Sequence, residues 1–399
     1  MSRATHLKLT AATALVLATV SCSKTLDGHL VAAPPRPVKL DTGNFPTEPR
    51  TIGPPKTAAD AWLTESWRMA DGIVAPWSVD PALTHSVTGV DNGALVSPVQ
   101  IRPDRRGSPK IFTPDQVRAL SQRPFLGGFA TSAGDAAEPS RALAIFMLRF
   151  ADADTASRSM ADLTTHSASL PNGFPHIDGA NALSSSDAAP LVVATVRGDL
   201  MLIVGATDTT PAAAADLAGK ALSAQLAKTP DYRPTPYDGI PPLKVPMDRD
   251  GVVSRTLPNA ELDGDEVALG LSPGTGLWSY QTPYSDALDN ADVAKTLLAQ
   301  AAKYGIELEV YGTYGVLYRM RDATATAQKL ADHFPVPDDD GHRIAGLPFD
   351  VAHCGKSPAG PGCGVRFGRY YFFAFHSQMS MPLVKKAAAA EYLILKNAG

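Results

Sequence analysis

The stretch that decides the fold occurs twice in the chain. ALAIFMLRFADADTASRSMAD spans residues 142–162, and VLYRMRDATATAQKLAD spans residues 316–332. Each begins as an apolar run that predicts a strand, with Arg149 or Arg319 near its end, and continues past an aspartate into a predicted helix. We therefore predict two copies of one structural unit, about 170 residues apart.

The aspartates at the two strand–helix junctions, Asp152 and Asp322, have a physical reason to recur. A carboxylate at a helix N-cap accepts backbone N–H groups and suits the positive end of the helix dipole. We interpret both residues as helix caps rather than catalytic groups.

Each copy continues with two strands and a last helix, and a hairpin partner precedes each core strand. The predicted ranges are 127–130, 191–196, 200–205 and 211–228 in the first copy, and 306–311, 364–367, 370–375 and 382–396 in the second. The predicted fold is α+β, with two duplicated lobes, each an antiparallel sheet with helices on one face. Thr57 and Thr113 predict additional helix starts in the first lobe.

Proline-rich segments predict the domain organisation. Seven prolines lie between residues 34 and 55, and a second cluster lies between 230 and 246; neither segment suits a regular helix or central strand. The predicted divisions are a signal peptide at 1–21, a lipid-anchored tether at 22–56, an N-terminal domain at 57–228, a linker at 229–248 and a C-terminal domain at 249–399.

The beginning of the chain has the pattern of an export signal. Arg3 and Lys8 supply positive charge, and residues 9–20 supply a short apolar run. A membrane-spanning helix needs roughly 20 apolar residues, so this run predicts a signal that is removed after export.

The residues from Thr19 to Cys22 resemble a lipobox, with threonine at the position that is usually aliphatic. We predict that Cys22 is acylated and anchors the protein to the outer leaflet of the cell membrane, facing the extracytoplasmic space. The alternative is a secreted protein in which this cysteine is unmodified.

The chain has three cysteines, and acylation of Cys22 leaves two. Cys354 and Cys363 flank a loop rich in glycine and proline, so an oxidising compartment favours a disulfide between them. A metal site with His353 is the alternative, but the second close ligand pair of a zinc site is missing from the sequence. We predict no metal and no cofactor.

Composition argues against nucleic acid as a partner. The formal net charge is −4, and the densest basic cluster, at 102–110, is interrupted by Pro103, Asp104 and Pro109. This cluster is typical of a solvated loop; contact with anionic lipid headgroups is the alternative.

Sequence motifs for catalysis and for calcium binding are incomplete. Residues 270–274 (GLSPG) match a nucleophile elbow, but Pro273 has no N–H to donate to an oxyanion. The acidic loops around Asp248 and Asp338 lack the first and last ligands of a calcium-binding EF-hand loop. The histidines are scattered, at spacings that do not place two on one helix face.

One strand could contribute to binding. Tyr371, Phe372, Phe373 and Phe375 make both of its faces apolar, so it must be covered on both sides or line a cavity. Core packing is one interpretation, and a pocket for an apolar molecule of the cell envelope is the other.

Several segments are similar to those of a family of exported actinobacterial lipoproteins of unknown function with two related α+β domains. They are LDTGNFPTEPR (40–50), RMAD (68–71) with PWSVDPAL (76–83), and RFGRYY (366–371). The resemblance covers the chain from about residue 39 onward. It implies an envelope location and the fold described above, and it brings no catalytic residues.

The sequence as a whole favours a lipid-anchored envelope protein that is not an enzyme. We expect it to bind an apolar ligand or another envelope protein. The alternative is a cell-envelope hydrolase, which convergent Asp, Ser and His side chains in one cleft would favour.

The lipid anchor predicts that Cys22→Ala abolishes incorporation of labelled palmitate in the expressing host, because the thiol is the acylated atom. Labelling is measured by gel fluorography, with the wild-type chain as control. Persistent labelling of the variant would contradict the anchor.

Overall fold

The computed structural model describes residues 39–85, 87, 93–98, 111–164, 169–184, 190–257, 280–281, 288, 291–312, 314–357, 360–375 and 379–399. Residues from Leu40 onward form one compact unit. The predicted signal peptide and Cys22 lie outside the described residues.

The first lobe contains, in chain order, α1 (Ala58–Met69), α2 (Pro76–Val79), β1 (Gly93–Leu95), α3 (Pro114–Ser121), β2 (Phe125–Gly134), β3 (Ala142–Phe150), α4 (Ala153–Thr164), β4 (Asn181–Ala182), β5 (Leu191–Arg197), β6 (Leu200–Thr207) and α5 (Pro211–Lys228).

The second lobe contains β7 (Tyr280–Gln281), α6 (Ala291–Tyr304), β8 (Ile306–Gly312), β9 (Gly315–Met320), α7 (Ala323–His333), β10 (Ala352–Ser357), β11 (Gly360–Phe367), β12 (Tyr370–Phe375) and α8 (Met381–Asn397). From β1 to α5 and from β7 to α8, strands and helices follow one another in the same order.

The order of the strands within the sheet is also the same in the two lobes. In the described residues, one sheet has the strand order β1-β2-β3-β6-β5-β4 and the other β7-β8-β9-β12-β11-β10, written from the equivalent edge, and every neighbouring pair is antiparallel. The structure therefore confirms the α+β class and the two lobes.

The register of the strands supports the duplication. Arg149 pairs with Leu200 at the start of β6, and Arg319 pairs with Tyr370 at the start of β12. Beside each arginine the preceding strand has an irregularity, which shifts the register by one residue in β2 and in β8. A bulge at the same place in both sheets is a specific feature of the shared unit.

Helices cover both faces of each sheet, so the prediction of helices on one face was wrong. In β3, Leu143, Ile145 and Met147 belong to the cluster that contains α5, whereas Phe146 and Leu148 belong to the cluster that contains α3 and α4. Since alternate residues of a strand point to opposite faces, a strand that is apolar throughout needs cover on both.

The predicted helix starts are confirmed. Thr57 and Thr113 both form capping boxes. Asp152 Oδ1 accepts the backbone N–H of Thr155 at 2.6 Å, and Asp322 Oδ1 accepts that of Ala325 at 2.8 Å. The recurring aspartates are helix caps, as the sequence indicated.

The end of the segment predicted as a tether contacts the second lobe. Phe45 is buried in its core, with its ring centroid 5.1 Å from that of Tyr314. The backbone N–H of Arg50 donates to Ser254 O at 3.1 Å, and Asn397 of α8 donates to Thr47 O at 3.0 Å. These contacts fix the chain from residue 45 to residue 50 on the C-terminal part of the protein.

The predicted disulfide is confirmed. Cys354 in β10 lies directly opposite Cys363 in β11, and the two are covalently joined. Both cysteines are buried in the second-lobe core. The bond joins the edge strand β10 to its neighbour β11.

A buried carboxylate joins the elements of the first lobe. Glu65 in α1 is fully buried, and its Oε1 accepts hydrogen bonds from Arg149 Nη1 at 2.6 Å, from the backbone N–H of Thr235 at 2.9 Å and from the hydroxyl of Tyr232. Its Oε2 accepts from Arg68 Nη1 at 2.5 Å and from Thr235 Oγ1 at 2.8 Å.

Burial alone would raise the pKa of Glu65, but the charge of Arg68 and the hydrogen bonds of Tyr232 and Thr235 hold it below its ordinary value. Arg149 also donates to Asp199 at 2.8 Å and to Thr235 O at 2.6 Å. One ionised carboxylate thus ties α1, β3 and the segment after α5 together.

Glu65→Gln should destabilise the first lobe by about 3 kcal/mol or more, because it leaves Arg149 and Arg68 partly uncompensated in a buried site. The midpoint of urea unfolding, followed by the fluorescence of Trp62, Trp67 and Trp77, measures the change. Asp115→Asn is the matched control, since the Asp115–Arg118 pair is exposed and should contribute at most about 1 kcal/mol. Equal midpoints for both variants would contradict the role of Glu65.

Candidate functional site

A cleft of about 750 Å³ opens on one face of the second-lobe sheet. Its walls are α6 and α7, and its floor is formed by β8, β9 and β12. The lining residues are Thr296, Ala299, Gln300, Lys303 and Tyr304 of α6, Lys329, Asp332 and His333 of α7, and Tyr311, Val316, Tyr318, Phe373 and Phe375 of the sheet. This volume lies within the range of about 300 to 1,000 Å³ that is typical of small-molecule sites.

The structure separates the four aromatic residues that the sequence proposed for binding. Phe373 and Phe375 line the cleft with stacked rings, 4.7 Å apart between centroids. Tyr371 is fully buried in the cluster beneath it. Phe372 points to the opposite face, into the core with α8, as strand alternation requires.

Lys329 is the most buried cation that lines the cleft, with 8% of its surface exposed. Its Nζ donates to Gln300 Oε1 at 2.8 Å and lies over the rings of Tyr304 and Tyr318, 4.9 and 5.8 Å from their centroids. Burial lowers the pKa of Lys329, against the attraction of Glu309 and Asp332.

Asp332 joins the two walls of the cleft. Its Oδ2 accepts from Lys303 Nζ at 2.6 Å and from the Tyr304 hydroxyl at 2.7 Å, and its Oδ1 accepts from Gln328 at 2.7 Å. The hydrogen bonds of Lys303 and Tyr304 lower the pKa of Asp332 to about 2. This carboxylate is ionised and well supplied with donors, so it holds α6 against α7.

His333 lies among aromatic rings at the base of the cleft. A hydrogen bond of 2.8 Å joins its Nδ1 to the Tyr371 hydroxyl, and its ring centroid is 4.2 Å from that of Phe373. Burial and the charge of Lys329 lower the pKa of His333 to about 4. The imidazole is therefore neutral at pH 7.

The same position in the first lobe is filled. There Ile111, Phe112 and α3 pack onto the sheet as part of a continuous apolar cluster. Ile111 lies so close to Gly205 that a Cβ at that glycine would come within 2.8 Å of its Cδ1. By register, the residue of β12 that corresponds to Gly205 is Phe375, which the second lobe leaves partly exposed.

The two helices over this face differ accordingly. Counted from the capping aspartates, Ser159 and Leu163 of α4 correspond to Lys329 and His333 of α7. Ser159 and Leu163 are buried in the first lobe, whereas Lys329 and His333 line the cleft.

One ion pair occurs at the corresponding position in each lobe. Asp162 of α4 accepts from Arg123, which follows α3, at 2.6 Å. The corresponding Asp332 accepts from Lys303 in α6. The contact therefore joins the corresponding helices in both lobes, whereas the groups beneath it are apolar in the first lobe and polar and aromatic in the second.

Aspartates of both acidic loops have protein partners, and in the second loop Asp338 pairs with Arg343 at 2.7 Å. Asp248 accepts the backbone N–H groups of Val253 and Ser254, and Asp250 pairs with Arg319 at 2.7 Å. In the part of the chain that the structure describes, no three His, Cys, Asp or Glu residues are grouped so that they could hold a metal ion.

Other predicted features lie outside the described residues. They are the basic cluster at 102–110 and the serine of the GLSPG motif at 270–274. Among the described helices, none is long and apolar enough to cross a membrane.

Sequence reasoning did not single out Gln300, Lys329 or Asp332. A residue-by-residue alignment of the two copies contained a signal for Lys329, because a lysine occupies the place of the small Ser159 within an otherwise apolar helix face. The role of Gln300 had no such signal, since α3 and α6 differ in length.

Residues 52–245 match the family model of the N-terminal domain of DUF7373, a domain of unknown function. That part of the chain is thus similar to an uncharacterised family. No curated protein and no solved structure matches the chain significantly. The matched range contains the first lobe and ends before the lobe that holds the cleft.

The environment of His333 predicts an NMR titration midpoint of about 4 for its imidazole, because burial disfavours the charged ring and protonation would also place a second positive charge beside Lys329. The signals of selectively labelled histidine give the midpoint, and the spectrum of His333→Gln assigns it. A midpoint near the ordinary value of about 6.5 would show that the imidazole is solvated rather than enclosed.

Proposed function

We propose that this protein is a lipid-anchored protein of the cell envelope that binds an apolar or amphipathic ligand, without chemical conversion, in the cleft between α6 and α7. The observation that carries the proposal is the difference between the lobes. Among the described residues, Ile111, Phe112 and α3 cover this face of the sheet in the first lobe, whereas the same face of the second lobe has a cleft lined by aromatic residues.

The shape of the cleft supports binding of a small molecule. Its floor belongs to a sheet whose opposite face is packed against α8, and the Asp332 hydrogen bonds join its two walls. A site on such a scaffold is largely formed before the ligand arrives, which reduces the entropic cost of binding.

Docking of another envelope protein is less well supported. A protein-binding surface is expected to include a contiguous apolar patch. Among the described residues, the large hydrophobic side chains that are exposed are Ile240, in the segment after α5, and Leu298 in the second lobe. Leu298 is in α6, the helix that forms one wall of the cleft.

The hydrolase alternative required convergent Asp, Ser and His side chains. The described lining of the cleft includes Asp332 and His333 but no serine. Asp332 bonds to Lys303, Tyr304 and Gln328, and His333 bonds to Tyr371, so these two side chains have separate partners. The geometry favours binding over hydrolysis.

The location outside the cytoplasmic membrane rests on the N-terminal sequence. The disulfide between Cys354 and Cys363 is consistent with it, because such bonds persist in oxidising compartments. A lipid anchor would hold the binding lobe near the membrane that supplies amphipathic molecules.

Blocking the cleft tests the proposal. Ala299→Trp puts an indole on the exposed face of α6 that lines the cleft, and it should weaken binding of the neutral probe N-phenylnaphthylamine by about tenfold or more, or ~1.4 kcal/mol. Fluorescence titration of the full chain carrying Cys22→Ala, which avoids detergent, gives the dissociation constant.

Ala302→Trp is the matched control, since Ala302 is exposed on the same helix and does not line the cleft. It should bind the probe like the parent protein. The proposal is wrong if the parent protein binds no probe, or if the two tryptophan variants bind equally well.

A further inference from the structure

We infer that the ligand of this cleft is an amphiphile with one anionic head group, a carboxylate or a phosphate, which binds Lys329 while its alkyl chain lies along Val316, Phe373 and Phe375. This inference rests on the proposed function and adds the chemical class and the orientation of the ligand.

The register of the sheet separates a polar end of the cleft from an apolar end. Tyr318 pairs with Glu309 and with Tyr371 at one end. Two residues along, Val316 pairs with Phe373, and Phe375 lies two residues further. At about 3.3 Å per residue, the floor from Tyr318 to Phe375 is about 13 Å long, the scale of a medium-length alkyl chain.

Lys329 marks the polar end, because its ammonium lies over the ring of Tyr318. Gln300, Lys303, Tyr304 and Asp332 are grouped around it. The far end presents the aromatic rings of Phe373 and Phe375. A cleft that is charged at one end and apolar along its floor fits an amphiphile better than a uniformly apolar molecule.

The ammonium of Lys329 has capacity for a ligand. It can donate three hydrogen bonds, and one goes to the neutral Gln300. No carboxylate of the described residues lies within 4.0 Å of its Nζ. Lys329 is 8% exposed and its ammonium faces two aromatic rings, so its charge is stabilised further when an anion enters.

The neighbouring carboxylates do not reverse this preference. Asp332 already accepts from Lys303, Tyr304 and Gln328. Glu309 is buried, accepts from the Tyr311 hydroxyl at 3.0 Å and is not among the residues that line the cleft. Of the charged groups at the polar end, the ligand therefore meets the ammonium of Lys329 rather than an unoccupied carboxylate.

The test compares laurate, dodecyl phosphate, dodecanol and dodecyltrimethylammonium, which share one alkyl chain and differ in the head group. Displacement of N-phenylnaphthylamine from the full chain carrying Cys22→Ala measures each affinity. We expect laurate or dodecyl phosphate to bind at least about tenfold more tightly than dodecanol, and the cation to bind most weakly. The tighter of the two anions identifies the head group.

Variants assign the preference to one residue. Lys329→Met should reduce the affinity for the anion at least about tenfold and leave that for dodecanol unchanged, while Lys329→Arg should keep the preference. Lys295→Met is the matched control, since Lys295 is 78% exposed in α6 and does not line the cleft. The unchanged dodecanol affinity reports that the Lys329→Met variant is folded.

Each other outcome has a distinct meaning. Equal binding of laurate, dodecyl phosphate and dodecanol by the parent protein would overturn the anionic class and leave the proposed function standing. Tighter binding of the cation would overturn it in favour of a carboxylate-lined site. Failure of every alkyl compound and of the probe to bind would overturn both this inference and the proposed function.

Discussion

The structure depends on one constraint: its central strands are apolar on both faces, so each face must be covered. β3 and β12 both have this property, and an antiparallel sheet with water on one side cannot hold them. The duplicated unit meets the constraint with its last helix on one face and its middle helix on the other. The elements beside the middle helix, α4 or α7, cover the rest of its face.

The two lobes show two ways of completing that face. The first lobe adds Ile111, Phe112 and the short α3, which belong to one apolar core cluster. The second lobe places the longer α6 beside α7, joined to it through Asp332, and the remaining space is the cleft. Duplication therefore offers a physical route to a binding site: one copy keeps the closed packing, and the other can exchange buried residues for polar ones.

The strands, the capping aspartates and the disulfide could be predicted from sequence because each depends on residues close in the chain or on cysteine pairing. The prediction that helices cover one face of each sheet was wrong. The run of apolar residues in β3 already indicated that both faces are covered, because alternate residues point to opposite faces. Of the proposed binding residues, Phe373 and Phe375 reach the cleft, and strand alternation explains why Phe372 does not. The hydrogen bond from Lys329 to Gln300 could not be predicted, because it depends on how two separate helices, α6 and α7, are placed.

Two buried charges differ in how far the fold itself compensates them. Glu65 is fully buried and accepts hydrogen bonds from four residues, two of them arginines, so its charge is compensated within the fold. Lys329 is nearly as enclosed, but its hydrogen-bonding partner is a neutral amide and its ammonium lies over two ring faces. The attraction of Glu309 and Asp332 does not offset the effect of burial, which lowers the pKa of Lys329. Burying a charge is costly unless it is paired. In the proposed binding mode, an entering anion would supply part of that compensation, and the position of Lys329 would set the orientation of the ligand in the cleft.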